Sequence, residues 1–350
     1  MIKPRKAIEE MEPYSPPLEG RRGLLRLDFN ENTIGCSPKV LAAINHINEE
    51  EVAAYPEYVE FKAKLANSIR MKPEQLMVTN ATDEAIMVIM QTYLEKGDEI
   101  VLPIPTFAMF KFYAQLFEAK IKEILYGTNL NFPVKNVLAA ITKKTKIVVL
   151  CNPNNPTGTL IEKKNIIKII EKAQKNEALV LLDEAYYQYS EMECLDLIDE
   201  YDNLIIIRTF SKVYGLGGLR LGYAASNQEI IKNLLKAGSP YSVNTVAIAA
   251  ASAAIEDLDY VKWYTTEIKK AKKVMYEGLG KLKIKTYPTA GNFLIAKFPK
   301  KADKIEIGLK EMGILVRNRS KYPLLKDCLR IAIGTVKQTK ELLNALKELL

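Results

Sequence analysis

The sequence of 350 residues contains a single histidine, His46, and four cysteines without paired spacing. One imidazole cannot build a histidine-based metal site, so we expect no bound metal ion. Cysteines without a disulfide framework indicate free thiols in a reducing compartment. The amino terminus is polar, and no apolar run approaches the length that spans a membrane. We therefore expect a cytoplasmic protein that has no membrane contact.

The composition is that of a soluble globular enzyme, with 48% apolar and 26% charged residues. The net charge of +8 raises the question of a nucleic-acid partner. The lysines are, however, scattered through helix-like segments without interleaved aromatic residues, which is typical of solvated helix faces. We expect no nucleic acid, and a basic protein also suits an anionic cofactor and anionic substrates.

The order of predicted elements indicates an α/β fold. Apolar runs typical of buried strands occur at 99–102, 121–125, 146–150, 178–182, 204–207 and 219–224. They mostly alternate with helical segments, a pattern that predicts a mainly parallel sheet covered by helices on both faces. We expect a large domain at 37–240, a smaller α+β domain built from 1–36 and 241–350, and a site in the cleft between them.

The segment 204–223 carries the clearest chemical signal. A buried strand is followed at once by Thr209, Ser211 and Lys212, then by three glycines and Arg220. Most lysines are surface charges, but Lys212 stands at the mouth of a core strand. Hydroxyl and guanidinium donors suit one phosphate, and the neighbouring amine can bind an aldehyde. Pyridoxal 5′-phosphate combines that aldehyde with that phosphate.

Three further motifs support a site at the same sheet edge. The octet 151–158, Cys-Asn-Pro-Asn-Asn-Pro-Thr-Gly, is too constrained for an ordinary turn. Asp183 ends a predicted strand, and a buried carboxylate there needs a cationic neighbour such as a pyridinium nitrogen. Ala81, Thr82 and Asp83 begin a helix with Thr82 as the expected cap, and the unpaired N–H groups of such a start bind phosphate.

These motifs resemble those of the class I and II aminotransferases of fold type I, and the resemblance covers nearly the whole chain. Two departures are Ala81, where the family usually has glycine, and Thr33, where it has proline. Within the family, the short length, the turn at 30–32 and the Val-Arg-Asn-Arg pattern at 316–319 are most similar to enzymes that act on histidinol phosphate.

The resemblance also implies roles that local patterns leave open. Phe107 would stack on the pyridine ring, while Asn155 and Tyr186 would donate to the phenolic oxygen of the cofactor. Tyr55 would reach the cofactor phosphate of a second subunit, which implies a homodimer. The implied substrate-binding residues are Tyr14, Asn30, Arg317 and Arg330, and the implied catalytic residues are Lys212, Asp183 and Tyr186.

The expected reaction is a transamination in two half-reactions, with small amines and 2-oxo acids as substrates. The resemblance favours L-histidinol phosphate as donor and 2-oxoglutarate as acceptor, a step of histidine biosynthesis. An aromatic-amino-acid aminotransferase and a threonine-phosphate decarboxylase on the same fold remain alternatives. A nicotinamide enzyme is disfavoured because the glycines near Arg220 lack the Gly-x-Gly-x-x-Gly spacing.

Overall fold

A computed structural model of the protein describes residues 2–13 and 17–350. In this part of the chain the α-helices are α1 (Lys6–Glu9), α2 (Pro38–Asn45), α3 (Glu49–Ala53), α4 (Val59–Ser68), α5 (Ala81–Tyr93), α6 (Ala108–Leu116), α7 (Val134–Ala140), α8 (Lys163–Gln174), α9 (Tyr187–Ser190), α10 (Gln228–Ala237), α11 (Thr245–Glu256), α12 (Leu258–Lys281), α13 (Ala302–Glu311) and α14 (Val336–Leu349).

The strands of the same residues are β1 (Leu25–Arg26), β2 (Leu76–Thr79), β3 (Glu99–Ile104), β4 (Lys120–Leu125), β5 (Thr145–Cys151), β6 (Leu179–Asp183), β7 (Leu204–Thr209), β8 (Gly222–Ala225), β9 (Lys285–Thr286), β10 (Phe293–Lys297), β11 (Ile314–Leu315), β12 (Arg317–Asn318) and β13 (Cys328–Ala332). Short 3₁₀ turns lie at Pro73–Gln75, Leu195–Asp199 and Gly217–Leu219.

Seven strands form the large sheet, in the order β2-β8-β7-β6-β5-β3-β4. The five strands β3, β4, β5, β6 and β7 run parallel, whereas β8 is antiparallel to both of its neighbours, β2 and β7. The predicted α/β class with a mainly parallel sheet is therefore confirmed. The predicted run at 219–224 begins as a strand only at Gly222, because Arg220 before it adopts a left-handed conformation with φ of 56°.

The large sheet is buried on both faces. Along β5, Val148 and Leu150 enter one apolar core, while Ile147 and Val149 enter a second core. Successive side chains of a strand point to opposite faces, so these cores lie on either side of the sheet. This is why the strands are continuous apolar runs instead of alternating ones.

A smaller unit lies towards the carboxyl end of the chain. Strands β12-β13-β10-β9 form an antiparallel sheet, and helices α12, α13 and α14 contribute to its core. The amino-terminal strand β1 joins this unit by pairing in parallel with β11. The fold thereby brings residues near position 28 next to residues near position 330.

Ser37 as cap with Pro38 at the first helical position predicts one helix that runs to about Val52. This prediction is wrong: α2 ends at Asn45, and Asn48 caps a separate helix α3, with the Asn48 side chain accepting from the Glu51 N–H and the Glu51 side chain accepting from the Asn48 N–H. The division at residue 240 stays a prediction. Helix α11, beyond that position, buries Ala247 and neighbouring alanines in the core of the large sheet.

The four cysteines are free thiols, and only Cys36 is not fully buried. Within residues 2–13 and 17–350, none of the helices combines the length and the hydrophobicity that a bilayer crossing requires.

Candidate active site

Most of the predicted site residues line one cavity, with a volume of about 520 Å³, between the large sheet and the four-stranded sheet. Those on its wall are Ala81, Thr82, Asp83, Phe107, Asn155, Asp183, Tyr186, Thr209, Ser211, Lys212, Arg220, Arg317 and Arg330. Asn30 and Tyr55 do not line it, and Tyr14 lies outside the described residues. The residues converge because parallel strands β5, β6 and β7 end at one edge of the sheet.

One end of the cavity is rich in hydrogen-bond donors. Helix α5 begins at Ala81, and its first-turn N–H groups have no partner within the helix. The predicted cap at Thr82 is wrong by two residues, because Asn80 is the residue before the helix. The hydroxyls of Thr209 and Ser211 lie 2.9 Å apart, which places two more donors there. This set suits a phosphate group.

Arg220 completes the donor-rich end and is held by an acid. Its guanidinium lies 2.9 Å from the carboxylate of Asp83, and both side chains are partly exposed. Gly222 lies against the start of α5, where a Cβ on this glycine would come 2.9 Å from the carbonyl carbon of Ala81. A glycine is therefore required at 222 for the strand and the helix start to meet.

The three asparagines of the octet 151–158 make different contacts. Asn152 accepts a bond from the Ile161 N–H at 2.7 Å, and Asn154 donates to the Pro105 carbonyl at 2.9 Å. Both side chains brace the loop, and only Asn155 lies on the cavity wall. The octet thus holds one asparagine amide, that of Asn155, at the cavity wall.

Asp183 is a nearly fully buried carboxylate at the end of β6. Its Oδ1 accepts from the Ala185 N–H at 2.9 Å, and Oδ2 lies 3.8 Å from the Cys151 sulfur. Burial raises the pKa of Asp183 to about 7. Such a group favours a cationic ligand in the cavity. The adjacent Glu184 points elsewhere and pairs with the buried Arg208 at 2.6 Å.

Lys212 lies on the turn after β7. Its Nζ donates to the Phe29 carbonyl oxygen at 3.1 Å and lies 5.5 Å from the centre of the Tyr186 ring. Burial, and then the positive charge of Arg330, lower the pKa of Lys212 to about 8. A lowered pKa increases the fraction of neutral amine, which is the nucleophilic form.

Tyr186 is buried beside Lys212 and packs edge-on against Phe293, with ring centres 5.0 Å apart. Its hydroxyl oxygen is 3.0 Å from Nδ2 of Asn30 and 3.4 Å from Nδ2 of Asn155. Burial raises the pKa of Tyr186 above its ordinary value, so this group is a neutral hydroxyl at physiological pH. Phe107 also presents an aromatic side chain to the cavity.

The four-stranded sheet supplies cationic side chains. Arg330 on β13 lies opposite Arg317 on β12. Arg330 donates to Oδ1 of Asn155 at 2.6 Å and to the Asp28 carbonyl oxygen. Arg317 is more open and lies 5.9 Å from the centre of the Phe29 ring. An anion in the cavity would meet both guanidinium groups.

Several cavity residues were not predicted from the sequence: Leu18, Arg21, Arg319 and Tyr322. Arg319 had a usable signal, because residues two apart on an extended segment face the same side and Arg317 was already recognised. Arg21 had no such signal, since its contacts with Asp28 and Glu31 depend on the fold of an irregular segment. Burial alone would raise the pKa of Glu31, but hydrogen bonds from Arg21 and Arg26 bring that pKa below its ordinary value.

Asn30 and Tyr55 occupy places that differ from the simplest expectation. Asn30 is fully buried behind Tyr186, so its side chain does not face the cavity. Tyr55 is 75% exposed, and its ring lies 4.6 Å from that of Tyr241, which is also exposed. Tyr55 therefore does not reach the cavity of its own chain.

Known proteins resemble this chain over its whole length. The family model described as aminotransferase class I and II matches residues 22–346. A histidinol-phosphate aminotransferase of Thermoanaerobacter sp. (strain X514) is 38% identical over 99% of this chain and 97% of its own length. The histidinol-phosphate aminotransferase of Methanocaldococcus jannaschii is 32% identical over 99% of this chain and 98% of its own length.

Solved structures show the same fold. Histidinol-phosphate aminotransferase from Sinorhizobium meliloti, in complex with pyridoxal-5′-phosphate, superposes with a TM-score of 0.91 at 24% identity, over 100% of this chain and 98% of its own. A double mutant of Thermus thermophilus aspartate aminotransferase gives 0.87 at 20% identity, with both chains fully covered. At these identities the likeness establishes the fold alone.

Proposed function

This chain belongs to the class I and II aminotransferases, and from that membership we propose that it transfers the amino group of L-histidinol phosphate to 2-oxoglutarate. Pyridoxal 5′-phosphate is accordingly its cofactor. The full-length identity to histidinol-phosphate aminotransferases supports this choice of substrate. The structural observation that carries it is the set of three arginines, Arg317, Arg319 and Arg330, that line the cavity together with the donor-rich end.

The residues of the cavity fit the cofactor. The N–H groups at the start of α5, the hydroxyls of Thr209 and Ser211, and Arg220 would hold its phosphate. Phe107 offers an apolar wall for a planar ring. The buried carboxylate of Asp183, with its raised pKa, gains the cationic partner that its environment favours when it meets a pyridinium nitrogen.

When bound, the cofactor supplies an electron sink for the bond that breaks at the substrate Cα. Lys212 would hold the cofactor aldehyde and, once displaced by the substrate amine, would carry the proton from Cα. Its pKa of about 8 leaves a useful fraction of neutral amine at physiological pH. Asp183 would keep the ring nitrogen protonated, and Tyr186 with Asn155 would donate to the phenolic oxygen.

The arginines would serve two anions in turn. Histidinol phosphate carries a phosphate and no carboxylate, whereas glutamate and 2-oxoglutarate carry carboxylates. Arg330 is buried and fixed by Asn155 and the Asp28 carbonyl, which gives a rigid fork for one anion. Arg317 is more open and can adjust to the larger phosphate. The predicted contact of Tyr14 with that phosphate remains part of this proposal.

We further propose that the protein acts as a cytoplasmic homodimer in which Tyr55 serves the partner subunit. Tyr55 does not line its own cavity, and its surroundings are apolar and open: Val52 is 71%, Val59 83% and Tyr241 59% exposed. A surface of this kind is typical of an interface. The free thiols suit a reducing compartment.

The first test is to mix the yellow holoenzyme with L-histidinol phosphate in the absence of acceptor and to follow the visible spectrum. The absorbance of the Lys212-linked cofactor should fall while that of the aminated cofactor rises in the near ultraviolet. Addition of 2-oxoglutarate should restore the first spectrum, and Lys212→Ala should show neither change. A spectrum that responds to tyrosine or phenylalanine alone would identify an aromatic aminotransferase, and CO2 release without amino transfer a decarboxylase.

A further inference from the structure

Asn30 lies behind the cavity wall and not on it. Its side chain is fully buried, and its backbone has φ of 56°, a left-handed conformation that asparagine tolerates better than most residues. The Asn292 amide donates to the Asn30 carbonyl oxygen at 3.2 Å. The two preceding carbonyl oxygens accept from Arg330 and Lys212. The backbone that ends at Asn30 is therefore held by side chains from three distant segments.

The Asn30 side chain points to the Tyr186 hydroxyl. The Asn30 amide nitrogen lies 3.0 Å from the hydroxyl oxygen, and the Asn155 amide nitrogen lies 3.4 Å from the same oxygen. A tyrosine hydroxyl has one proton to donate and can accept through its oxygen lone pairs. With two amide donors on the oxygen, its proton must point away from both amides. Tyr186 borders the cavity, so the proton is directed there.

The Asn30 side chain is poorly explained as a stabilising feature. Its Oδ1 is buried and has no hydrogen-bond partner among the described residues. A buried acceptor without a partner destabilises a fold, and such groups in native proteins call for a functional explanation. The left-handed backbone accounts for an asparagine or a glycine at this position, but a glycine could not donate to Tyr186.

We infer that Asn30 is a positioning residue that fixes the Tyr186 hydroxyl as a donor toward the cofactor's phenolic oxygen. The inference rests on the proposed function, because it assumes the cofactor orientation given above. A donor at the phenolic oxygen stabilises its deprotonated form, and so lowers the pH at which the Lys212–cofactor linkage loses its proton. Removing that donor, or turning its proton away from the cavity, should raise the pH midpoint at which the Lys212–cofactor linkage loses its proton.

The test is a double-mutant cycle on the holoenzyme, read by the visible absorbance of the bound cofactor as a function of pH. Asn30→Asp has the same shape but presents acceptors to the hydroxyl, which draws the Tyr186 proton away from the cavity. Asn30→Asp and Tyr186→Phe should each raise the midpoint by about one pH unit. The double variant should show little shift beyond that of Tyr186→Phe, because both changes remove the same donor.

Two controls separate this role from a general structural one. Asn292→Ala removes one bond to the Asn30 backbone, while Arg330 still holds the neighbouring Asp28 carbonyl and the Asn30 amide and Tyr186 are unchanged. It should therefore lower the melting temperature but leave the midpoint in place. Asn30→Gly tolerates the left-handed backbone and deletes the amide, and should give a smaller shift in the same direction if Asn30→Asp does not fold.

The outcomes distinguish the inference from the function on which it rests. If the Asn30→Asp shift persists in full in the Tyr186→Phe background, the effect comes from charge or structure, and the positioning role is overturned. An unshifted Asn30→Asp alongside a shifted Tyr186→Phe also overturns it, with the aminotransferase assignment intact. A wild-type protein that shows no titrating cofactor absorbance would remove the proposed function itself.

Discussion

The carbonyl oxygen of Phe29 accepts a hydrogen bond of 3.1 Å from Nζ of Lys212, although the two residues are 183 positions apart. The neighbouring residues make similar contacts: the Asp28 carbonyl accepts from Arg330, and the Asn30 amide donates to Tyr186. Three consecutive residues of an irregular amino-terminal segment thus hold three functional side chains. The segment organises the site through two backbone carbonyls and one buried side-chain amide.

Lys212 should react with amine reagents before most other lysines. Burial lowers the pKa of Lys212 and of Lys272 to about 8, so about half of each is neutral near pH 8. In the cofactor-free protein at that pH, both should be carbamylated by cyanate at least about ten times faster than exposed lysines. Peptide mapping by mass spectrometry measures the rates.

Lys272 is the internal control for this labelling. Its Nζ bonds to the Thr289 carbonyl outside the cavity, so bound pyridoxal phosphate should protect Lys212 and leave Lys272 reactive. Equal protection of both lysines would contradict the assignment of Lys212 as the residue that holds the cofactor.

Asp183 should destabilise the cofactor-free protein at neutral and higher pH. Its folded pKa of about 7 exceeds the ordinary value of 3.8, so the folded state holds the extra proton. The stability from this group is present below about pH 4 and is lost as the pH rises through about 7. Between those limits the cofactor-free wild type should lose on the order of 4 kcal/mol relative to Asp183→Asn.

Denaturant titrations of both cofactor-free proteins at several pH values measure this difference. With cofactor bound, the wild type should become more stable to unfolding than Asp183→Asn, because a ring cation stabilises the carboxylate more than it stabilises the neutral amide. An Asp183→Asn variant that follows the wild-type pH dependence throughout would show that another group titrates instead.

Ala81 is strained where glycine would not be. Its φ of 63° is left-handed, which costs an alanine about 1–2 kcal/mol. Glycine removes that strain but adds unfolded-chain entropy of about 0.4–1 kcal/mol. Ala81→Gly should therefore raise the melting temperature by about 1–3 °C. Ala85→Gly, the same change at a buried position within the same helix, should lower it.

Arg317 should discriminate phosphorylated from unphosphorylated donors. Loss of a charged hydrogen bond to phosphate in Arg317→Gln should raise KM for L-histidinol phosphate by about 10- to 100-fold. L-Histidinol, which lacks the phosphate, should be affected far less. Steady-state kinetics with both donors provide the comparison. An equal rise in KM for the two donors would mean that the substrate phosphate does not bind at Arg317.

Tyr55 should act across the subunit interface. Tyr55→Ala and Lys212→Ala homodimers should each have low activity. After the two are mixed and allowed to exchange subunits, heterodimers would contain one site with both defects and one site with neither. Activity above the sum of the separate proteins is expected. No gain in a mixture shown by mass spectrometry to contain heterodimers would mean that Tyr55 serves its own chain, or neither.

The sheet and its edge were predictable from sequence because both depend on local patterns. Buried parallel strands are continuous apolar runs, and their carboxyl ends meet at one edge. Polar residues that follow those runs, such as Asn155, Asp183 and Lys212, must therefore lie near one another. The structure brings them to one cavity.

Other features of the site could not be predicted from the sequence, because they depend on contacts between segments that are distant along the chain. Asn30 belongs to the turn at 30–32 that the sequence indicates. Its left-handed backbone, which the fold imposes, directs its side chain to Tyr186 and not to the cavity. Arg21 reaches the cavity through two carboxylates of an irregular segment. The break between α2 and α3 was missed because the capping signal of Asn48 lay inside a continuous helical pattern.

The pairing of β1 with β11 has a consequence for how the protein is made. A ribosome produces the chain from the amino terminus, so residues 25–30 emerge long before their partners at 314–315 and Arg330. The large sheet, complete by residue 225, can form while synthesis continues. The cavity cannot form at that stage, because the contacts of residues 25–30 require residues 314–330. Newly made chains should thus become competent to capture cofactor only after residues 314–330 have left the ribosome, however early their largest sheet has folded.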